Sequence, residues 1–161
     1  MYLIRPNSSY LYTMNITWHY KEFNELSPRE LYAIFHLRMM VFVVEQNCVY
    51  NEVDGKDVKC SHLWCEADGK ILAYCRIVPP GVSYEEPSIG RVVSHPEFRH
   101  LKLGHSLMRH AIQIIENHFK TNSIKISAQS YLKNFYAQYG FVQTSEEYLE
   151  DNLPHMEMSR T

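Results

Sequence analysis

Hydrophobic and polar positions change period several times along this chain, and each change marks an element. Ile16, Trp18 and Tyr20 alternate with polar neighbours, the period of a half-buried strand. Ser27-Pro28-Arg29-Glu30 reads as a helix start, with Ser27 as N-cap, Pro28 in the first turn and Glu30 completing a capping box. Leu31, Ile34, Phe35 and Arg38 follow at helical spacing and predict a helix ending near Met40. Val41 to Val44 is a β-branched and aromatic run leading into Glu45-Gln46, and residues 47–60 are polar and acidic and read as a loop. His62 to Ala67 and Ile71 to Val78 flank Asp68-Gly69, a strong hairpin signal, and Pro79-Pro80-Gly81 ends the second strand. Residues 88–94 are the next strand, closed by Pro96.

Leu103, Leu107, Ala111, Ile114 and Ile115 mark one apolar face of a helix that reaches Phe119. Ile124 and Ile126 alternate within a strand, and Tyr131 to Tyr139 is a short helix stopped by Gly140. Phe141-Val142 and His155 to Ser159 are closing strands. Residues 1–13 show no clean period and are expected to be an N-terminal extension, disordered or a packing arm, ahead of one domain over 14–161. The order β-α-β-β-β-α-β-α-β-β predicts an α/β fold, a mixed sheet with helices on both faces.

A chain of 161 residues can bury a sizeable core. The net charge of −2 gives no global attraction to nucleic acid. No apolar run approaches the ~20 residues of a membrane span. No basic segment leads into an apolar one at the N-terminus, so a secretory leader is not supported. Cys48, Cys60, Cys65 and Cys75 contain no CxxC pair and are expected to be free thiols in a reducing cytoplasm. His95, His100, His105 and His110 recur every five residues, about 140° apart on a helix, so they share no ligand face and no metal is expected.

The candidate chemistry sits at Arg99-His100-Leu101-Lys102-Leu103-Gly104. A strand, a short turn and a helix N-terminus bring unpaired backbone N–H groups and a positive dipole end together, and Arg99, His100 and Lys102 crowd the same turn. The ligand implied is a phosphate or pyrophosphate.

The run IGRVVSHPEFRHLKLGHSLM resembles motif A of the GNAT superfamily of N-acetyltransferases, and ISAQSYLKNFYAQYGFV resembles its motif B. LRMMVFVVEQNCVYNEVDGKD, SHLW, the RxxKxG turn and YLEDNLPHMEM resemble the ElaA-like subfamily. These strings run in order over most of residues 16–160. The resemblance implies a GNAT fold: a mostly antiparallel central sheet, helices on both faces, and a V-shaped splay between the strands ending near Ser94 and Gln129. It implies acetyl-coenzyme A as cosubstrate, with transfer to a primary amine of a small molecule or peptide by direct attack in a ternary complex. The alternative is a catalytically weak coenzyme A-binding sensor or interaction module. A homodimer through open strands near the C-terminus is compatible with it.

The resemblance also assigns roles. Val92, Val93 and Ser94 would pair with the pantetheine amides. Lys102, Leu103, Gly104 and His105 would cradle the pyrophosphate with Arg99 beside them. Gln129 stands where the family often has Asn. Tyr136 is where the family's general acid lies, protonating the departing thiolate. Lys102 departs from the pattern, occupying a position that is usually glycine. Ser88 stands where many members carry a carboxylate, which leaves the general base open among Glu45, Asp54, Glu150, His62 and His155. The acidic residues of 45–57 and 146–151 would favour a cationic acceptor.

Overall fold

The computed structural model describes residues 14–161. The expectations for residues 1–13 lie outside that range. The chain begins with strand β1 (Thr17–Glu22), two residues longer at its C-terminal end than the alternation marks. Helix α1 (Pro28–Arg38) starts as its capping box predicts: the Glu30 N–H donates to Ser27 Oγ at 3.2 Å and the Ser27 N–H donates to Glu30 Oε2 at 2.8 Å. The helix does not stop near Met40. It continues through Met39–Glu45 as a wider π-helical segment, closed by Gln46 N–H to Val41 carbonyl and Cys48 N–H to Val43 carbonyl bonds. The β-branched run that would suit a strand is held helical by its place between α1 and the sheet: Val41 is buried with Ile34 and Leu37 against Trp64, Tyr74 and Val93.

Strands β2 (Ser61–Ala67) and β3 (Lys70–Val78) form the hairpin, with both turn residues, Asp68 and Gly69, at positive φ. Strand β4 (Ser88–Ser94) completes an antiparallel sheet of order β1-β2-β3-β4. Helix α2 (Leu103–Phe119) buries Leu107, Met108, Ala111, Ile112 and Ile115 on the sheet face opposite α1. The second sheet contains β5 (Ile124–Gln129), β6 (Val142–Gln143), β7 (Tyr148–Glu150) and β8 (Leu153–Arg160), all paired through β8. The short strand β7 had no sequence signal of its own. Between β5 and β6 lies α3 (Lys133–Ala137), preceded by a 3₁₀ turn and followed by Gly140 at φ 83°.

The two sheets meet where β4 and β5 begin, joined by a 3.1 Å bond from the Lys125 N–H to the Pro87 carbonyl. From there the strands part, and Ser94 and Gln129 both face the cleft between them. Strand β4 also bulges. Tyr74 pairs with Val93 and Arg76 with Gly90, so Arg91 and Val92 together oppose Cys75. Arg91 sits at the bulge with φ 54°, a left-handed backbone that an L-residue adopts at a cost of about 1–2 kcal/mol.

A buried ion network fixes the loop between the π-helical segment and β2. Arg38, wholly buried, bonds Glu52 through Nε (2.8 Å) and Nη2 (2.6 Å) and Asp57 through Nη1 (2.6 Å). Arg76 from β3 bonds Asp54 through both terminal nitrogens at 2.8 Å and reaches Asp57 at 3.1 Å. Arg91 bonds Glu52 at 2.8 Å and Asp54 at 3.4 Å. Three arginines thus neutralise three carboxylates. The acidity of this loop is internal, which corrects the expectation that it presents negative charge to an acceptor.

Burial alone would raise the Asp57 carboxyl, but the Arg38 hydrogen bond and charge, with Arg76, hold it below the ordinary carboxylate range. A carboxylate depressed in this way stabilises the fold fully above its unfolded value, and loses that contribution as pH falls through the folded one. Stability measured by urea unfolding should therefore fall as pH drops below ~4. Asp57→Asn should flatten that acid limb and lower stability at pH 7 by about 3–5 kcal/mol, because Arg38 is left short of a partner in the interior.

Candidate active site

The splay between β4 and β5 opens into a cleft of about 930 Å³. Of the fifteen site residues expected from sequence, thirteen line it: Glu45, Asp54, Val92, Val93, Ser94, Arg99, Lys102, Gly104, His105, Gln129, Tyr136, Glu150 and His155. Leu103 is not a lining residue; its side chain packs against the core. The cleft therefore gathers residues from both sheets, the π-helical segment and the N-terminus of α2.

The donor half is built from backbone. The bulge at Arg91 breaks the β4 ladder and leaves Val92, Val93 and Ser94 along the open edge. At the turn, Lys102 has φ 54°, the left-handed conformation that glycine adopts freely and that explains why glycine is the usual occupant. The Lys102 N–H already donates to the Arg99 carbonyl (3.0 Å) and the His105 N–H to the Lys102 carbonyl (3.1 Å). This narrows the expected cradle. Leu103 and Gly104, the first two residues of a 17-residue helix without a side-chain cap, are the ones whose N–H groups point outward with no helical acceptor. A Cβ at Gly104 would meet Phe135 Cζ and Ser94 Oγ at 3.7 Å, so the three surfaces converge closely there.

Tyr136 lies on α3 with its ring packed edge-on against Phe135 (5.1 Å between centroids) and Phe141 (6.1 Å). Only 6% of the residue is exposed, yet it reaches the cleft. Burial pushes its phenol well above the ordinary range, so the hydroxyl carries its proton at neutral pH. Gln129, at the end of β5, exchanges amide hydrogen bonds with Gln46 at 3.2 and 3.4 Å across the cleft. Gln46 was not singled out in the sequence; its place at the end of the β-branched run gave no sign that it would face β5.

The proton-acceptor candidates separate clearly. Glu45 is paired with Arg99 at 2.6 Å, and both are exposed at the rim. Burial would raise Asp54, but Arg76, the Lys56 backbone and Arg91 hold it far below the usual carboxylate range. His62 is not among the cleft residues: it is buried behind β3, where its Nε2–H donates to the Asp57 carbonyl (3.2 Å) and its Nδ1 accepts from Tyr74 (2.8 Å). Glu150 is exposed and accepts from Ser127 Oγ at 2.8 Å. His155 on β8 lines the cleft opposite Gln129 in the ladder. Ser88 is buried and also lines the cleft. Among the described residues no group of three or more His, Cys, Asp or Glu side chains is placed to hold a metal ion. No helix among them is long and apolar enough to cross a membrane.

Residues 34–161 match the family model described as an acetyltransferase (GNAT) domain. The chain belongs to the GNAT acetyltransferase family. Within it, a UPF0039 protein of Schizosaccharomyces pombe is 42% identical over 146 residues, covering 89% of this chain and 96% of that protein. The ElaA protein of Escherichia coli is 37% identical over 147 residues, 90% of this chain and 96% of the relative. The crystal structure of an acyl-CoA N-acyltransferase from Pseudomonas aeruginosa superposes with TM-score 0.87 at 43% identity, over 91% of this chain and 100% of that one. The crystal structure of E. coli ElaA superposes with TM-score 0.85 at 36% identity over the same shares. This GNAT protein is accordingly an acyltransferase that takes its acyl group from coenzyme A, and the resemblance drawn from its motifs holds.

The left-handed Lys102 separates backbone from side chain in coenzyme A binding. Lys102→Gly keeps the turn conformation and should change calorimetric affinity less than about threefold, whereas Lys102→Glu should weaken it by about tenfold or more, roughly 1.4 kcal/mol.

Proposed function

We propose that this GNAT protein transfers acetyl from acetyl-coenzyme A to the nitrogen of a primary amine by direct attack within a ternary complex. The observation that carries the reading is the meeting of three features in one cleft: the bulged edge of β4, the uncapped α2 N-terminus and the protonated Tyr136. Each answers a different part of the donor. The open edge at Val92–Ser94 offers backbone groups to the amides of pantetheine, as an added strand would. The outward N–H groups of Leu103 and Gly104 and the dipole of a long helix suit a pyrophosphate, with Arg99 and Lys102 supplying charge beside it.

Tyr136 acts at the thioester. The amine nitrogen attacks the carbonyl carbon, the tetrahedral adduct collapses, and the C–S bond breaks. The sulfur that leaves takes the phenolic proton, and the proton shed by the new amide nitrogen restores the phenol. The Tyr136 hydroxyl reaches the cleft from a buried position, where it can hydrogen-bond the departing sulfur and pass it a proton. The acceptor enters from the other half of the cleft, between the 46–51 segment and the face of β5 and β8 that carries Ser127, Gln129 and His155.

Tyr136→Phe keeps the ring and its packing. Coenzyme A release from acetyl-coenzyme A in the presence of an amine panel should fall by about a hundredfold, with calorimetric donor affinity unchanged. Equal turnover in the variant would remove Tyr136 from the reaction. A wild type that neither binds acetyl-coenzyme A nor acetylates any amine would overturn the whole reading.

A further inference from the structure

An amine that is protonated in water must lose a proton before it can attack; of the four carboxylates that line the cleft, Glu45, Asp54 and Glu150 already have partners, and Asp151 is exposed on the turn between β7 and β8. Asp54 is clamped by Arg76 and Arg91, and Glu45 is paired with Arg99. Arg76 and Arg91 hold Asp54 in its ionised form, and the Glu45 carboxylate is occupied by Arg99 at the rim. Glu150 is exposed and already accepts the Ser127 hydroxyl.

His155 stands differently. Its Nδ1 lies 2.8 Å from the Leu153 carbonyl, an oxygen that can only accept, so Nδ1 carries the hydrogen in that bond. In the neutral ring this leaves Nε2 as the acceptor, and no protein partner engages it among the described residues. The ring is stacked on Tyr148 at 6.4 Å and 25°, which fixes its plane. Tyr148 in turn donates to Ser127 (2.7 Å), because the Ser127 hydrogen is directed to Glu150. Ring orientation and tautomer are thus set before any acceptor arrives, and the ladder places His155 beside Gln129 on the same face of the second sheet.

We propose that His155 is the general base of the transfer, taking a proton from the ammonium group of the acceptor through Nε2. This rests on the acetyl-transfer reading above. The ammonium N–H bond breaks, its electron pair stays on nitrogen for attack on the thioester carbonyl, and the proton leaves from the imidazolium to solvent. The net reaction releases one proton per amide formed, as conversion of an ammonium to an amide requires.

Two small nucleophiles test the assignment on the intact protein. n-Butylamine is almost wholly protonated at neutral pH and needs a base. Hydroxylamine is largely unprotonated there and does not. His155→Asn preserves a donor to the Leu153 carbonyl and deletes Nε2; His155→Gln deletes the base in a different shape. Both variants should bind acetyl-coenzyme A as wild type does and release coenzyme A with hydroxylamine at close to the wild-type rate. With n-butylamine they should lose about a hundredfold or more. Raising pH should recover butylamine turnover in the variants as the free amine accumulates. An equal loss with both nucleophiles, no loss with either, or a greater loss from Glu150→Gln would overturn the assignment while leaving acetyl transfer standing. Absence of coenzyme A release from wild type with both nucleophiles would overturn acetyl transfer and His155 together.

Discussion

The bond on which the rest of this structure depends is the one between Arg38 and Glu52. Arg38 ends α1, Glu52 lies in the loop that follows the π-helical segment, and Glu52 passes the contact to Arg91 at the β4 bulge. One carboxylate therefore links a helix, a loop and the strand edge facing the donor. Burying these charges carries a desolvation cost that their attraction roughly offsets, so the network is a weak source of net stability. Its effect is conformational. With Glu52 in place, Arg91 holds its left-handed backbone and β4 stays bulged. An apolar replacement could fill the same volume, but it would have no reason to seat the 46–60 loop in one register against the sheet.

The two halves of the cleft use different materials. The half formed by β4 and the α2 N-terminus relies on backbone: a bulged edge, a left-handed turn and an uncapped helix N-terminus. Such a surface tolerates side-chain change, which is why Lys102 can stand at a position that favours glycine. Its left-handed conformation is maintained by the Arg99 and His105 bonds on either side. The other half relies on side chains of β5, β7, β8 and the 46–51 segment, and the Gln46–Gln129 amide pair spans it. That half varies with its side chains, whereas the backbone half presents the same groups whatever side chains it carries.

Elements governed by local chemistry were legible in the sequence. The Ser27–Glu30 capping box, the Asp68-Gly69 turn and the apolar stripe of α2 need no distant partner, and each stands as its residues indicate. The strand, turn and helix N-terminus from Ser88 to Gly104 were legible for the same reason. Features that depend on distant contacts were not. Val41 to Val44 has strand chemistry, and only packing on Trp64 and Tyr74 makes it helical. The acidic loop read as solvated because its arginines lie 14, 19 and 22 residues away or further. Arg76 did carry a signal: a lone cation inside the apolar run ILAYCRIV needs a buried carboxylate. Followed through, it would have moved Asp54 out of the proton-acceptor candidates.

That reassignment bears on how the fold accommodates Ser88. Ser88 is buried and lines the same cleft as Arg76 and Arg91, which with Arg38 already balance three acids. A fourth acid there would have no arginine left to balance it and would be buried at a cost. The serine at this position adds no charge to a network whose three arginines and three acids are already matched. The second sheet stands apart from these three arginines, and its strand β8 presents the His155 imidazole to the cleft with Nδ1 bonded to the Leu153 carbonyl.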